Sequence, residues 1–132
     1  VIHIHFDMPV RTVVANAKVA DDKGKVAVER GPLVYCAEAV DNQNEPVLRA
    51  VMAKKPAFSV VDNYSIQNTE TKGAPAFSVK AIKADAQILE EGANGVSVKN
   101  NVLTLIPYYA WNHRGANQMN VWFYQNLSVL DK

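Results

Sequence analysis

Short runs of alternating apolar and polar side chains, interrupted every few residues by turn formers, are what most restricts the fold open to this chain. Phe77-Ser78-Val79-Lys80-Ala81 alternates most cleanly, and Lys25 to Glu29 repeats the pattern. A period of two puts every second side chain on one face of a strand. Leu33-Val34-Tyr35-Cys36-Ala37 is apolar throughout, as in a strand buried on both faces, so Leu33 to Glu38 is expected to be central, with Cys36 packed in the core.

Taken along the chain, Ile2, Ile4 and Phe6 define a first strand with His3 and His5 on its other face. Val10 to Val14 continues as a second strand, and Asp21-Asp22-Lys23-Gly24 turns the chain into a hairpin. Gly31-Pro32 separates the next two strands. Val47 to Met52 and Phe58 to Val61 are further strands, and 62–75 is an irregular surface connection rich in Asn, Thr, Gly and Pro. Ile82 breaks the alternating phase, which predicts a bulge there. Ala84 to Glu91 fits a short helix or a strand, Asn94-Gly95 is the strongest hairpin turn, and Asn100-Asn101 reads as a second turn. Val102 to Ile106 is a buried strand stopped by Pro107. The total is about eight to ten short strands spaced roughly 8–12 residues apart. The predicted fold is all-β: one antiparallel, jelly-roll-like β-sandwich spanning residues 1–132.

Charge narrows the function. Fourteen Lys and Arg face thirteen Asp and Glu, without a basic face, so nucleic acid is excluded as a partner. No apolar run approaches the roughly 20 residues of a membrane-spanning helix, and no membrane role is expected. The single Cys36 forms no internal disulfide. His3 and His5 would bring two ligands to a metal, short of the three or four that zinc needs, so no cofactor is expected in this chain. Cys36 with His113 is a poor nucleophile and base pair, because a reactive thiol needs a partly exposed, electropositive setting. Glu29, Glu38, Asp41, Glu90 and Glu91 offer carboxylate pairs whose separation the sequence does not give. The acids and amides of Asp41 to Glu45 match a calcium loop only loosely. A start inside an apolar strand is expected of a piece of a longer polypeptide.

The densest cluster of chemistry lies between Pro107 and Trp122. Tyr108, Tyr109 and Trp111 crowd a turn that also carries Asn112, His113 and Arg114 and ends at Gly115. Beyond it, Met119, Val121 and Phe123 alternate with Asn120, Trp122 and Tyr124. Two uses fit: the rings stack on a sugar while Asn112, His113 and Arg114 bond its hydroxyls, or they plug the end of the sandwich, with Arg114 bonding loop carbonyls.

Two segments carry a resemblance. D-M-P-V-R (Asp7 to Arg11), G-K-V-A-V-E-R-G-P-L-V-Y-C-A-E (Gly24 to Glu38) and V-D-N (Val40 to Asn42) resemble the β-rich region after the catalytic domain of β-L-arabinofuranosidase-like glycoside hydrolases, family 127. I-P-Y-Y-A-W-N-H-R-G (Ile106 to Gly115) and M-N-V-W (Met119 to Trp122) are similar to the closing segment of the same proteins, where W-A-N-R-G is commoner than the W-N-H-R-G found here. The resemblance implies an (α/α)6 barrel carrying the chemistry, with zinc held there by a glutamate and several cysteines, followed by β-sandwich domains. None of that machinery maps onto Cys36. The expected role is a non-catalytic accessory domain whose partners are the catalytic barrel of the same polypeptide or a second copy in a homodimer. The alternative is a carbohydrate-binding module holding arabinose-containing glycans through residues 108–114. A periplasmic or exported location is favoured slightly over the cytoplasm.

Overall fold

The structure, a computed structural model, describes residues 9–14, 25–53, 56–69, 72–73, 75–92, 95–115 and 117–125. The strand proposed for residues 1–6, with His3 and His5, and the turn at Asp21 to Gly24 lie outside them. Nine strands are present among the described residues: β1 (Val10–Val14), β2 (Lys25–Arg30), β3 (Leu33–Glu38), β4 (Ala50–Met52), β5 (Phe58–Ile66), β6 (Phe77–Gly92), β7 (Gly95–Pro107), β8 (Met119–Asn120) and β9 (Phe123–Gln125). The fold is all-β, as the short alternating runs predict.

Pairing runs β1-β2-β9-β4-β6-β7-β3-β8, and β2 also pairs β3, so six strands close into a ring. One pair, β4 with β9, is parallel, a departure from the purely antiparallel expectation. Gly31, at φ 60°, has the positive φ that the first position of a tight β2–β3 turn requires. Every ring strand sends buried side chains into one core, among them Val26, Tyr35, Met52, Ile82, Leu105 and Phe123. A second core lies on the opposite face, formed by Cys36, Ile66, Val79, Ile106 and Ala110. Strands β3, β6 and β7 supply both, which is why Leu33 to Ala37 carries no polar residue.

Strand β6 shows how tertiary pairing overrides local preference. The stretch A-D-A-Q-I-L-E-E has helical propensity, yet it lies within the sixteen-residue strand β6, which pairs with β7 from Ile82↔Leu105 to Gly92↔Gly95. Ala84, Ala86 and Ile88 thereby face the ring core, whereas a helix would leave three strands without a neighbour. The phase break at Ile82 is a change of core: Val79 faces the second cluster and Ile82 the first. The predicted bulge is absent from β6 and sits in its neighbour β5, where register shifts between Val61 and Tyr64 and Asn63 takes φ 58°.

Four other expectations are corrected. Asn100 and Asn101 do not turn; they pair with Gln87 and Ala86 within β7. Val47–Arg49 forms a 3-10 turn before β4, and β5 extends through Ile66 into the segment read as irregular. The final strand divides at Val121-Trp122, because β8 pairs with β3 while β9 pairs with β2 and β4.

Candidate functional site

Pro107 ends β7, and Tyr108–Ala110 forms a 3-10 turn that folds the aromatic segment back over the second core. Ala110 is buried and Trp111 packs against Cys36, Ile66, Val79 and Ile106 as a partly buried lid. Tyr108 tilts against Trp111, with ring centroids 6.1 Å apart. Tyr108 and Tyr109 remain 47% and 62% exposed, which makes them the large apolar side chains that this loop offers outward. Asn112 takes φ 71° and Gly115 φ 85°, so the glycine occupies the left-handed conformation expected of it. The ring of His113 meets Phe77 edge-on at 5.2 Å. Its Nδ1 lies 2.9 Å from the carbonyl of Ala110; a carbonyl only accepts, so Nδ1 carries the proton. The His113 carbonyl in turn accepts from the Thr69 backbone N–H at 2.7 Å, which ties the loop to the end of β5. Trp122 is half-buried in the bend between β8 and β9, away from residues 108–114 in the chain.

Arg114 is the centre of the arrangement. Its guanidinium Nη2 donates to Glu38 Oε1 at 2.9 Å and to Asp41 Oδ2 at 2.7 Å, and Nη1 donates to Asp41 Oδ1. The side chains are almost wholly enclosed: Arg114 is 9% exposed, Glu38 0% and Asp41 1%. Burial alone works against the guanidinium charge, but the two carboxylates more than offset it and hold the group protonated above its ordinary range. Asn117 Nδ2 donates to Glu38 Oε2 at 3.0 Å, and Tyr64 O–H donates to Asp41 Oδ1 at 2.6 Å. Burial first, and then that bond to a carboxylate, push the Tyr64 hydroxyl up to about 12. Arg114 therefore bonds carboxylates rather than loop carbonyls.

Asn42 completes the join. Its amide Nδ2 donates to the carbonyls of Glu38 and Thr104, and its Oδ1 accepts from Thr104 N–H at 2.7 Å. A side chain here takes the place of a strand neighbour for β7. The sequence offers Arg114 as a bonding group and Glu38 and Asp41 as carboxylates, but it does not join them, and it does not point to Asn117 and Tyr64, which bond the two acids, or to Asn42 beside them. The available signal was Glu38 with Asp41, three residues apart just past a fully apolar strand, where uncompensated acids would be costly.

These bonds bear on four of the candidate catalytic groups, Glu38, Asp41, Cys36 and Glu29. Glu38 and Asp41 are adjacent, but both are held by Arg114, so neither is free to act as an acid or base. Cys36 is fully buried, and desolvation first, then the nearby charges of Glu38 and Asp41, push its thiol up to about 12, the opposite of an activated nucleophile. Glu29 pairs with Arg11 across β1 and β2 at 2.8 Å. Among the described residues no three His, Cys, Asp or Glu side chains converge as metal ligands, and one enclosed thiol does not fit a multi-thiolate zinc centre.

A closed ring of short strands, a lidded second core and a buried charged cluster, in which Arg114 gives both terminal nitrogens to carboxylates while its Nε has no partner, define a β-domain with its acids held inside. Residues 10–124 match the family model described as the glycoside hydrolase family 127 C-terminal domain, and the chain belongs to that family. Among curated proteins it is 35% identical over 124 residues to the non-reducing end β-L-arabinofuranosidase of Bifidobacterium longum subsp. longum, covering 91% of this chain and 19% of that protein. Among solved structures it is similar to a family 127 β-arabinofuranosidase, with 43% identity, a TM-score of 0.78 and coverage of 94% of this chain and 18% of the other. A family 127 β-L-arabinofuranosidase from Geobacillus stearothermophilus T6 follows at 27% identity and a TM-score of 0.73, with 92% of this chain and 19% of that one covered. The chain thus spans about a fifth of the length of these relatives.

Proposed function

We propose that this chain is the non-catalytic accessory domain of a β-L-arabinofuranosidase-like glycoside hydrolase, and that it braces the catalytic barrel of the same polypeptide. The observation that carries this reading is the pair of exposed tyrosines, Tyr108 and Tyr109, on a turn held rigid by the Glu38–Asp41–Arg114 clasp. Tyrosine contributes large contact area for little lost side-chain entropy, and a pre-fixed backbone lowers the ordering cost of docking. The zinc implied by the resemblance is assigned to the catalytic part, since the residues described here do not fit it.

Sugar binding by the same loop is the weaker reading. Trp111 is spent on the core, Arg114 on its carboxylates and His113 Nδ1 on Ala110, which leaves the exposed Asn112 as the chief polar side chain beside the tyrosines.

Two comparisons test the proposal: the full-length enzyme against a form lacking residues 1–132, and against the Tyr108→Ser, Tyr109→Ser double variant. Loss of this domain is expected to lower the unfolding temperature of the catalytic part, and the double variant to reproduce part of that loss. A catalytic part equally stable and active without the domain would refute it. Light scattering on the same samples separates packing on the barrel from contacts in a homodimer.

A further inference from the structure

The face of the sheet that carries the second core is covered by the aromatic lid at only one end. At the other it opens into a groove of about 880 Å³ floored by β4, β6 and β7 and walled by Asp41 and Tyr64. Cross-strand register places Lys83 beside Thr104, Asp85 beside Val102 and Gln87 beside Asn100, all on this face. We propose that this groove binds a neutral oligosaccharide of the arabinose class. The ligand class rests on the accessory-domain reading above, whereas the site rests on the groove's own chemistry.

Charge decides against the alternatives. Lys83 and Asp85 stand two residues apart on one strand face, and neither has an ion-pair partner among the described residues. Their charges balance, so the groove does not attract phosphate. Asp41 is neutralised by Arg114, which leaves one free carboxylate, too few for a divalent cation. A protein-docking centre is ordinarily depleted in Lys and Asp. What suits this lining is an uncharged ligand rich in hydroxyls with small apolar faces.

The amides fit that ligand. Gln87 Nε2 donates to Asn100 Oδ1 at 3.1 Å, which leaves the Gln87 carbonyl oxygen as an acceptor beside the Asn100 amino group as a donor. Side by side, these match adjacent hydroxyls of a sugar ring, one donating and one accepting. Val102, 50% exposed on the floor, offers a patch for the ring's C–H face. The volume lies within the range of small-molecule clefts, about 300–1,000 Å³.

The test uses the full-length polypeptide in native gels cast with soluble arabinan, which retards a protein that binds it. Retardation is expected for the wild type. The Gln87→Ala, Asn100→Ala variant should lose about tenfold in affinity, the value of two hydrogen bonds. Should that variant unfold early, Val102→Asp on the exposed floor gives a second, independent loss. Equal retardation of wild type and folded variants, or none of the wild type, would overturn the proposal. Protection of Lys83 from amine acetylation in the full-length protein without sugar would do so too, because the groove would then be covered by the rest of the chain. Failure of the accessory-domain reading is seen separately, as a catalytic part indifferent to removal of this domain while glycan retardation persists.

Discussion

Replacing Arg114 by Met keeps much of the apolar stem and removes the charge, so it isolates the electrostatic part of the clasp. In the native protein that charge faces two carboxylates, neither more than 1% exposed. Removing one member of a buried ion pair costs about 3–5 kcal/mol, because the remaining charge stays desolvated without a partner. Here two carboxylates are stranded, Glu38 keeping the bonds from Asn117 and from the Asn112 N–H, and Asp41 the bond from Tyr64. Whole domains are stable by about 5–15 kcal/mol, so Arg114→Met is expected to remove about a fifth or more of the total, a fall in melting temperature of roughly 10–25 °C. Arg114→Lys should recover only part, since a single ammonium cannot serve both acids bidentately. The triple variant Glu38→Gln, Asp41→Asn, Arg114→Met should return toward wild type, because no charge is left buried. Urea unfolding monitored by tryptophan fluorescence measures all four proteins. The exposed Arg11–Glu29 pair, half open to water at the arginine, is the internal standard, worth about 0–1 kcal/mol and weakened by salt. An Arg114→Met loss below about 1 kcal/mol, or a triple variant worse than the single, would refute the reasoning.

Three further outcomes follow from the same geometry. The thiol of Cys36 is raised from 9.0 to about 12 in the folded chain, so above pH 9 the unfolded form ionises first and stability falls as pH rises toward 12. The loss reaches up to about 4 kcal/mol at 1.36 kcal/mol per unit, and Cys36→Ala should flatten that limb in alkaline urea titrations. Asn42→Ala, which leaves the backbone of Thr104 without its partner, should cost about 2–3 kcal/mol by chemical denaturation. Ile88→Ala, in the ring core where Ala84–Glu91 would have been helical, should cost about 2–5 kcal/mol in the same assay; a negligible loss would argue against the β4–β6 packing.

Much of the architecture is legible in local sequence. Leu33 to Glu38 announces its central position because both faces of β3 meet a core, and Gly115 announces the end of the lid through the φ it must adopt. The remainder depends on partners far away in the chain. Ala84 to Glu91 is helical by propensity and becomes strand only because Leu103 and Leu105 draw the neighbouring residues into register. The Asn pair at 100–101 has turn chemistry, but its amides have other uses: Asn100 accepts from Gln87, and Asn101 Oδ1 accepts from the Val102 N–H. Arg114 was singled out as a bonding group, yet its acceptors lie more than seventy residues earlier, a distance no local pattern spans. The groove went unseen for the same reason as β6: K-A-D-A-Q presents its polar residues on one face only once the stretch is a strand.

Strand β9 has a consequence for how the chain is made. Phe123 to Gln125 fills the gap between β2 and β4, elements some seventy to a hundred residues upstream. Until those residues leave the ribosome, two strand edges of the nascent domain stay open to any neighbouring polypeptide. Ring closure is therefore the last pairing step this domain can make as it is synthesised, and contacts this distant in sequence make it a slow one. A premature stop between Pro107 and Phe123 would release nearly all the hydrophobic residues of the ring without the strand that seals them. Such a product is a target for chaperones and proteases rather than a partly working domain.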